Sequence, residues 1–445
     1  MNKLRNCLIL KFLVLSLAAC FSAPIPIGFA QQEERDHGKS MLRKIKNDLK
    51  RDYYDPNFRG MNLDARFKEA EGKIDEARSL GQIMGIIATV MSELDDSHTF
   101  FVPPLRALET DYGWTMSIIG ERCFVSSVAK QSDAEAKGVK PGDEVLDAGG
   151  SSLDRSNLWR FEYLYNQLRP QPSIRVTLRS PNGEQRQLEL LAKQTERKTK
   201  YFTLEEQEWL VKKAERETQR RHNRFKSFGD QLLIWQMVRF DYTDSEVDEA
   251  MEKARKHKAL ILDLRGNGGG WVSTESRMVS NLFDHDVKIG DSVSRKETKP
   301  RIAKSRGSEK VFNGKLVILV DSRSASASEV LTRTIQLEKR GRIIGDKTAG
   351  KVMTSRSYGD EVSLGLKVAP YGFSITISDL IMSDGMSLEH RGVTPDEVRL
   401  PSPDDLAANR DVVLSYAASL FGVTLDPVEA ANLFRVEPVD SKQTK

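Results

Sequence analysis

Residues 316–337 read LVILVDSRSASASEVLTRTIQL and decide the fold of the second half of the chain. The apolar run from Leu316 to Val320 predicts a strand, and the apolar spacing from Val330 to Leu337 predicts a helix. The serines between them therefore lie on a strand-to-helix turn. Backbone N–H groups and the helix dipole at such a turn stabilise developing negative charge, which makes Ser326 a candidate nucleophile.

Lys351, in the pair Gly350-Lys351, is the candidate base for this serine. A serine hydroxyl must lose its proton to attack, and a neutral lysine can accept that proton where burial lowers its pKa. An exposed ammonium stays protonated at neutral pH, so this chemistry requires an enclosed site. The pair predicts a serine hydrolase that needs no histidine. The competing interpretation is structural, because Ser326 and Glu329 also fit a helix capping box.

The composition is that of an ordinary globular protein, with 39% hydrophobic and 30% charged residues among 445. The N-terminus carries basic residues followed by the apolar run from Phe12 to Ala19, which predicts a secretory signal within residues 1–30. Two ends are compatible with it: cleavage after Ala30, or a lipobox ending at Cys20, which would then carry a lipid anchor. Either end predicts export to the periplasm or envelope of a bacterium. The overall charge of +4 gives no indication of a nucleic-acid partner.

The remaining chain divides by pattern. Apolar spacing indicates a helical domain, short alternating runs with a hairpin across Asn182-Gly183 indicate a β-rich module, and a charged stretch follows. Strands then alternate with helices, which predicts parallel βαβ connections, and the tail carries little pattern. The predicted boundaries are 31–107 for the helical domain, 108–195 for the module, 196–230 for the charged linker or helix, 231–421 for the core and 422–445 for the tail. Cys123, without a disulfide partner in the exported chain, is expected to be a small core residue.

Six motifs occur in a fixed order along the chain. They are Asp95-Asp96-Ser97-His98-Thr99, Gly138-Val139-Lys140-Pro141-Gly142-Asp143, residues 262–270 (LDLRGNGGG), the serine turn, residues 345–351 (GDKTAGK) and Arg391-Gly392-Val393-Thr394-Pro395-Asp396. Together they resemble the C-terminal processing (tail-specific) serine proteases. The resemblance implies a multidomain α/β protein: a crotonase-like βαβ protease core, similar to that of tricorn, with an N-terminal helical segment and an inserted PDZ domain.

By that resemblance Ser326 is the nucleophile and Lys351 the general base. Backbone N–H groups of Gly268 or Gly269 would join that of Ala327 in an oxyanion hole. The alternative for these glycines is a tight strand exit, since G-x-G-G-G is not a dinucleotide motif. Two positions depart from the family pattern. Ser355 replaces a glutamine that often orients the lysine and would have an accessory role, and Leu337 replaces a frequent aspartate.

Two further site predictions follow from the resemblance. His98 is the rival base, because tricorn-type relatives use a serine–histidine pair. The segment Tyr112-Gly113-Trp114-Thr115 would hold the terminal carboxylate of a peptide that adds to the PDZ domain as a strand, although Trp114 would serve equally as core. The expected function is an exported serine endopeptidase acting on unfolded or flexible protein tails, without metal or cofactor. The alternative function is a non-catalytic peptide-binding protein on the same fold.

Overall fold

The structure is a computed structural model and describes residues 27–104, 108–196, 224–364 and 367–435. Most of the predicted signal segment and the helix expected within the charged linker lie outside the described residues. No helix within these four ranges is long and apolar enough to cross a membrane.

The N-terminal part of the chain is helical, as predicted. Its helices are α1 (Ile27–Asp52), α2 (Leu63–Glu76) and α3 (Leu80–Ser92). The side chains of Asn62 and Ser79 cap α2 and α3 by accepting backbone N–H bonds. The apolar stripes of the three helices bury a common cluster that also includes Phe373 from a later strand. The helical unit is therefore packed onto the rest of the protein.

The β-rich module follows in the chain. The strand β1 (Phe100–Val102) precedes it, and its elements are β2 (Leu108–Asp111), β3 (Trp114–Ile119), β4 (Arg122–Val128), α4 (Asp133–Ala136), β5 (Glu144–Ala148), α5 (Leu158–Tyr163), β6 (Ser173–Arg179), β7 (Gln185–Leu191) and β8 (Lys193–Glu196). Strands β3 to β7 form one antiparallel sheet in chain order, with β3 at an edge. Strands β2 and β8 pair where the chain enters and leaves the module. Cys123 is buried in its core, as expected.

The core has the predicted alternation of strands and helices. Its elements are β9 (Phe225–Phe228), β10 (Leu232–Gln236), α6 (Asp244–Arg255), β11 (Ala259–Asp263), α7 (Val272–Ser280), β12 (Val287–Ser294), β13 (Thr298–Ala303), β14 (Lys315–Val320), α8 (Ala327–Leu337), β15 (Arg342–Gly345), β16 (Thr354–Leu364), β17 (Lys367–Met382), β18 (Glu397–Val398), α9 (Pro403–Ala407), α10 (Val412–Ser419) and α11 (Pro427–Asn432). Helix α11 lies in the tail where no pattern was predicted, and its Ala430 is buried against the sheet.

The central sheet has the order β18-β15-β14-β11-β10-β9, parallel except for β9. Helices α6 to α8 cover one face and α10 and α11 the other, which explains why its strands are almost continuously apolar. Strands β11 and β14 are paired in parallel, with Asp263 opposite Leu319. The loops after these two strands therefore start at the same edge of the sheet, where ligands bind in α/β folds.

A second sheet is built on the long hairpin β16–β17. Strand β17 also pairs with β1 and β12, and β12 pairs with β13. The pairing of β1 with β17 places the preceding segment, residues 95–99, beside the core. In this way a motif from the helical unit reaches the edge of the central sheet.

Candidate active site

Ser324 and Ser326 lie in the turn between β14 and α8, Ser328 lies in the first turn of α8, and the structure separates their roles. Ser324 and Ser328 are fully buried, and their hydroxyls donate to the carbonyls of Leu264 (2.8 Å) and Asn267 (2.9 Å). Ser326 is only partly buried, and within the described residues its hydroxyl donates no hydrogen bond. Ser326 is thus the hydroxyl of this turn that remains free to give up its proton.

The backbone of Ser326 is strained. Its φ of 56° and ψ of −120° lie in a region that L-residues rarely adopt, which costs about 1–3 kcal/mol. Two bonds hold this conformation: the Ser326 N–H donates to the carbonyl of Lys351 (2.8 Å) and to Glu329 Oε2 (3.1 Å). The Glu329 half of the predicted capping box is therefore present, and this bond positions the serine without consuming its hydroxyl proton.

The Glu329 carboxylate does more than cap the helix. It is fully buried and accepts from the Thr348 hydroxyl (2.5 Å) and from the N–H groups of Gly350 (2.7 Å) and Lys351 (2.8 Å). Burial raises the pKa of Glu329 to about 7, and these hydrogen bonds oppose the rise. We call this arrangement the Glu329 clamp: one carboxylate that holds the backbones of Ser326 and Lys351 side by side.

Lys351 lies half-buried next to the module. Its Nζ is 5.4 Å from the ring centroid of Trp159 on α5. Burial lowers the pKa of the Lys351 ammonium, while nearby carboxylates such as Glu162 and Glu389 oppose the shift. Among the described residues no hydrogen bond joins Nζ to Ser326 Oγ. Such side-chain bonds are often long in a site without substrate. The two residues are joined here by the hydrogen bond from the Ser326 N–H to the Lys351 carbonyl.

His98 lies close enough to Lys351 for the lysine charge to lower its pKa, although burial is the larger cause of a pKa of about 4. The hydroxyl of Ser97 donates to Glu389 Oε2 (2.9 Å) and lies 2.6 Å from His98 Nδ1. A Ser97 proton directed to Glu389 fits the His98 tautomer that carries its proton on Nδ1, and this tautomer leaves Nε2 as an acceptor. Sequence reasoning singled out His98 but missed Ser97 and Glu389.

The loop after β11 supplies the candidate oxyanion donors. The Gly269 N–H donates to Asn267 Oδ1 (2.8 Å), whereas the Gly268 N–H has no partner within the described residues. The same Asn267 accepts the Ala325 N–H at its carbonyl (2.9 Å), which ties this loop to the serine turn. Of the two glycines left open by the sequence, Gly268 has the N–H that can turn toward an oxyanion.

The two positions that depart from the family pattern form no hydrogen bond with Ser326 or Lys351 within the described residues. Ser355 is in β16 opposite Thr376, and within the described residues no hydrogen bond connects it to Lys351. Leu337 packs against the core at the end of α8. The Glu329 clamp, and not Ser355, contacts the Lys351 backbone.

The segment expected to hold a peptide carboxylate begins β3. The Gly113 N–H donates to Asp111 Oδ1 (2.8 Å), and the Tyr112 hydroxyl bonds the backbone of Gln171. Trp114 packs partly against the core of the module, and the Thr115 hydroxyl bonds those of two neighbouring serines. These groups are therefore engaged within the module.

A parallel sheet with a strained serine at a strand-to-helix turn, a half-buried lysine and glycine N–H groups is the arrangement expected for the core of a serine-type peptidase. Residues 225–399 match the model of Peptidase family S41. A tail-specific protease of Haemophilus influenzae is 25% identical over 404 residues, which cover 82% of this chain.

Solved structures agree on the fold. The photosystem II D1 C-terminal processing protease matches with a TM-score of 0.51 at 20% identity, over 82% of this chain and 94% of that one. Mature CPAF matches with a TM-score of 0.63 at 13% identity, over 84% of this chain and 94% of that one. The chain spans 53% of the length of the Haemophilus relative.

The close approach of Gly269 to the serine yields a test. A Cβ at Gly269 would lie 2.6 Å from Ser326 Cβ, and its φ of 94° disfavours any side chain, whereas a Cβ at Gly268 would meet nothing within 4 Å. We expect Gly269→Ala to lower the free energy of unfolding by about 2 kcal/mol or more. The matched Gly268→Ala should change it by about 0.5 kcal/mol or less. Equal losses in thermal or urea unfolding would contradict the geometry described for this loop.

Proposed function

We propose that the chain is an exported serine endopeptidase that cuts flexible protein tails with Ser326 as nucleophile and Lys351 as general base. The observation that carries the proposal is the Glu329 clamp, which holds the strained serine beside a lysine whose pKa is lowered by burial. The match of residues 225–399 to Peptidase family S41 and the similarity to a tail-specific protease support the same reaction class.

The proposed reaction is acyl transfer. Neutral Lys351 takes the Ser326 hydroxyl proton as Oγ attacks the peptide carbonyl carbon. The N–H groups of Gly268 and Ala327 stabilise the tetrahedral oxyanion, and Lys351 then gives the proton to the leaving amine. Lys351 next deprotonates the water that hydrolyses the ester, which releases the new carboxylate and restores the serine.

The module would serve as a PDZ-type capture unit for the tail. Its strand β3 is an edge strand, to which an extended peptide can add by backbone hydrogen bonds. The carbonyls of Met116 and Ile118 on this strand accept from the side chains of Arg323 and Ser322 in the serine turn. An added peptide would therefore replace contacts that reach the loop carrying the nucleophile. Export and a lipid anchor at Cys20 stay predictions, because Cys20 lies outside the described residues.

Cleavage of casein by the purified protein tests the proposal. We expect Ser326→Ala and Lys351→Ala each to lower the rate by at least about 10²-fold, because each removes a group that acts in the transition state. Lys296→Ala, which removes an exposed lysine from the turn between β12 and β13, is the control for lysine loss, and we expect it to keep activity on casein within about tenfold. Absence of cleavage by the parent protein, together with retained binding of tail peptides, would favour the non-catalytic alternative.

A second candidate keeps Ser326 but uses His98 as the base. The Ser97–Glu389 contact supports it, because this contact is compatible with a His98 ring whose Nε2 is unprotonated. Glu389 also accepts the N–H of Val352, next to Lys351, so both candidate bases adjoin one carboxylate.

The pH dependence separates the two bases. A lysine base works in its neutral form, so kcat/KM should rise about tenfold per pH unit until pH passes the lowered pKa of Lys351, below its ordinary 10.5. A His98 base has a pKa of about 4 and would give a constant rate above about pH 5. We expect the rising profile between neutral and alkaline pH. A flat profile, combined with an inactive His98→Ala and an active Lys351→Ala, would overturn the lysine assignment.

A further inference from the structure

A cleft of about 380 Å³ opens on the side of Lys351 that faces the module. Three parts of the chain form its walls: the segment before β1, the loop leading into α5, and the loop after β15 that ends at Lys351. Arg391, from the turn after β17, completes the lining. The cleft thus lies where the helical unit, the module and the core meet.

The lining of this cleft is strongly basic. It includes Arg155, Arg160, Lys347, Lys351 and Arg391, with Asp95 and Asp96 as its acidic residues. Two of the cations already have anionic partners: Arg155 bonds Asp346 (3.1 Å) and Arg160 bonds Asp95 (3.0 Å).

Asp96 does not neutralise the remaining cations. Its carboxylate accepts from the hydroxyls of Tyr53 (2.8 Å) and Thr376 (2.6 Å) and from backbone N–H groups of its own loop. Within the described residues no ion pair forms at Lys347 or Arg391, which both line the cleft. We call these two residues the cationic pair.

We propose that the cleft binds an acidic side chain, Asp or Glu, of the polypeptide substrate through the cationic pair. The proposal rests on the proposed function for its substrate class. A carboxylate in the cleft would accept charge-assisted hydrogen bonds and relieve the repulsion between two like charges. Because Lys351, a member of the reacting pair, lines the same cleft, the acidic residue would lie within a few residues of the cut.

Binding should therefore discriminate between Glu and Gln in otherwise identical peptides. The probes are fluorescent peptides, amidated at the C-terminus to remove the terminal carboxylate, with Glu or Gln placed at each position in turn. Anisotropy with the full Ser326→Ala chain measures affinity without cleavage. At low ionic strength we expect one position at which Glu binds about tenfold more tightly than Gln, with the preference falling as salt is added.

Two double variants locate the effect. Lys347→Gln/Arg391→Gln should abolish the preference for Glu. The control Lys296→Gln/Lys299→Gln removes the same charge from an exposed surface and should leave the preference for Glu unchanged. Thermal unfolding of both confirms that each is folded. Equal affinity for Glu and Gln at every position, or a preference that survives loss of Lys347 and Arg391, would overturn the proposal.

The other possible source of a carboxylate is the C-terminus of the peptide itself. A peptide with Gln at every varied position and a free C-terminus tests this source. If this peptide alone gains affinity through Lys347 and Arg391, the cleft takes a chain end and the side-chain assignment is wrong. Because turnover is not measured, a parent protein that fails to cut casein would remove the proposed function and leave the Glu preference as a separate result.

Discussion

The buried Glu329 carboxylate is the interaction on which the site depends. It accepts four hydrogen bonds, and three come from backbone N–H groups at Ser326, Gly350 and Lys351. Without it, the buried Thr348 hydroxyl and Gly350 N–H would be left unpaired, each at a cost of about 1–3 kcal/mol. The clamp therefore links the start of a helix to the loop carrying the base, and it offsets part of the strain at Ser326.

The parallel sheet supplies the second constraint. The register of β11 and β14 brings two loops to one edge, and Asn267 bonds across them through Ala325 and Ser328. Only a residue without a side chain fits where Gly269 approaches Ser326. The nucleophile is thus positioned by rigid strands and a helix, and the substrate meets a preformed turn.

Much of this organisation could be predicted from the sequence because its signals are local. The strand–turn–helix around Ser326 follows from one apolar run and one helical period, and the motif order indicated the resemblance to tail-specific proteases. The contact between Ser97 and Glu389 could not be predicted, since 292 residues separate them and neither shows a local pattern. The position of the Lys351 ammonium over the Trp159 ring could not be predicted either, because it depends on how the module packs against the core. Helix α11 was missed because six residues are too few to show a period.

The most direct test of the central claim is the rate at which a fluorophosphonate probe labels Ser326 in the parent chain and in Glu329→Gln. Such a probe reacts with activated serine hydroxyls, so it reports on the serine and its base without a protein substrate. The amide keeps the size of the carboxylate but turns an NH₂ group toward N–H donors. If the Glu329 clamp holds Ser326 beside its base, Glu329→Gln should stay folded and lose labelling by about 10²-fold or more. Labelling of a folded Glu329→Gln at the parental rate would contradict the claim.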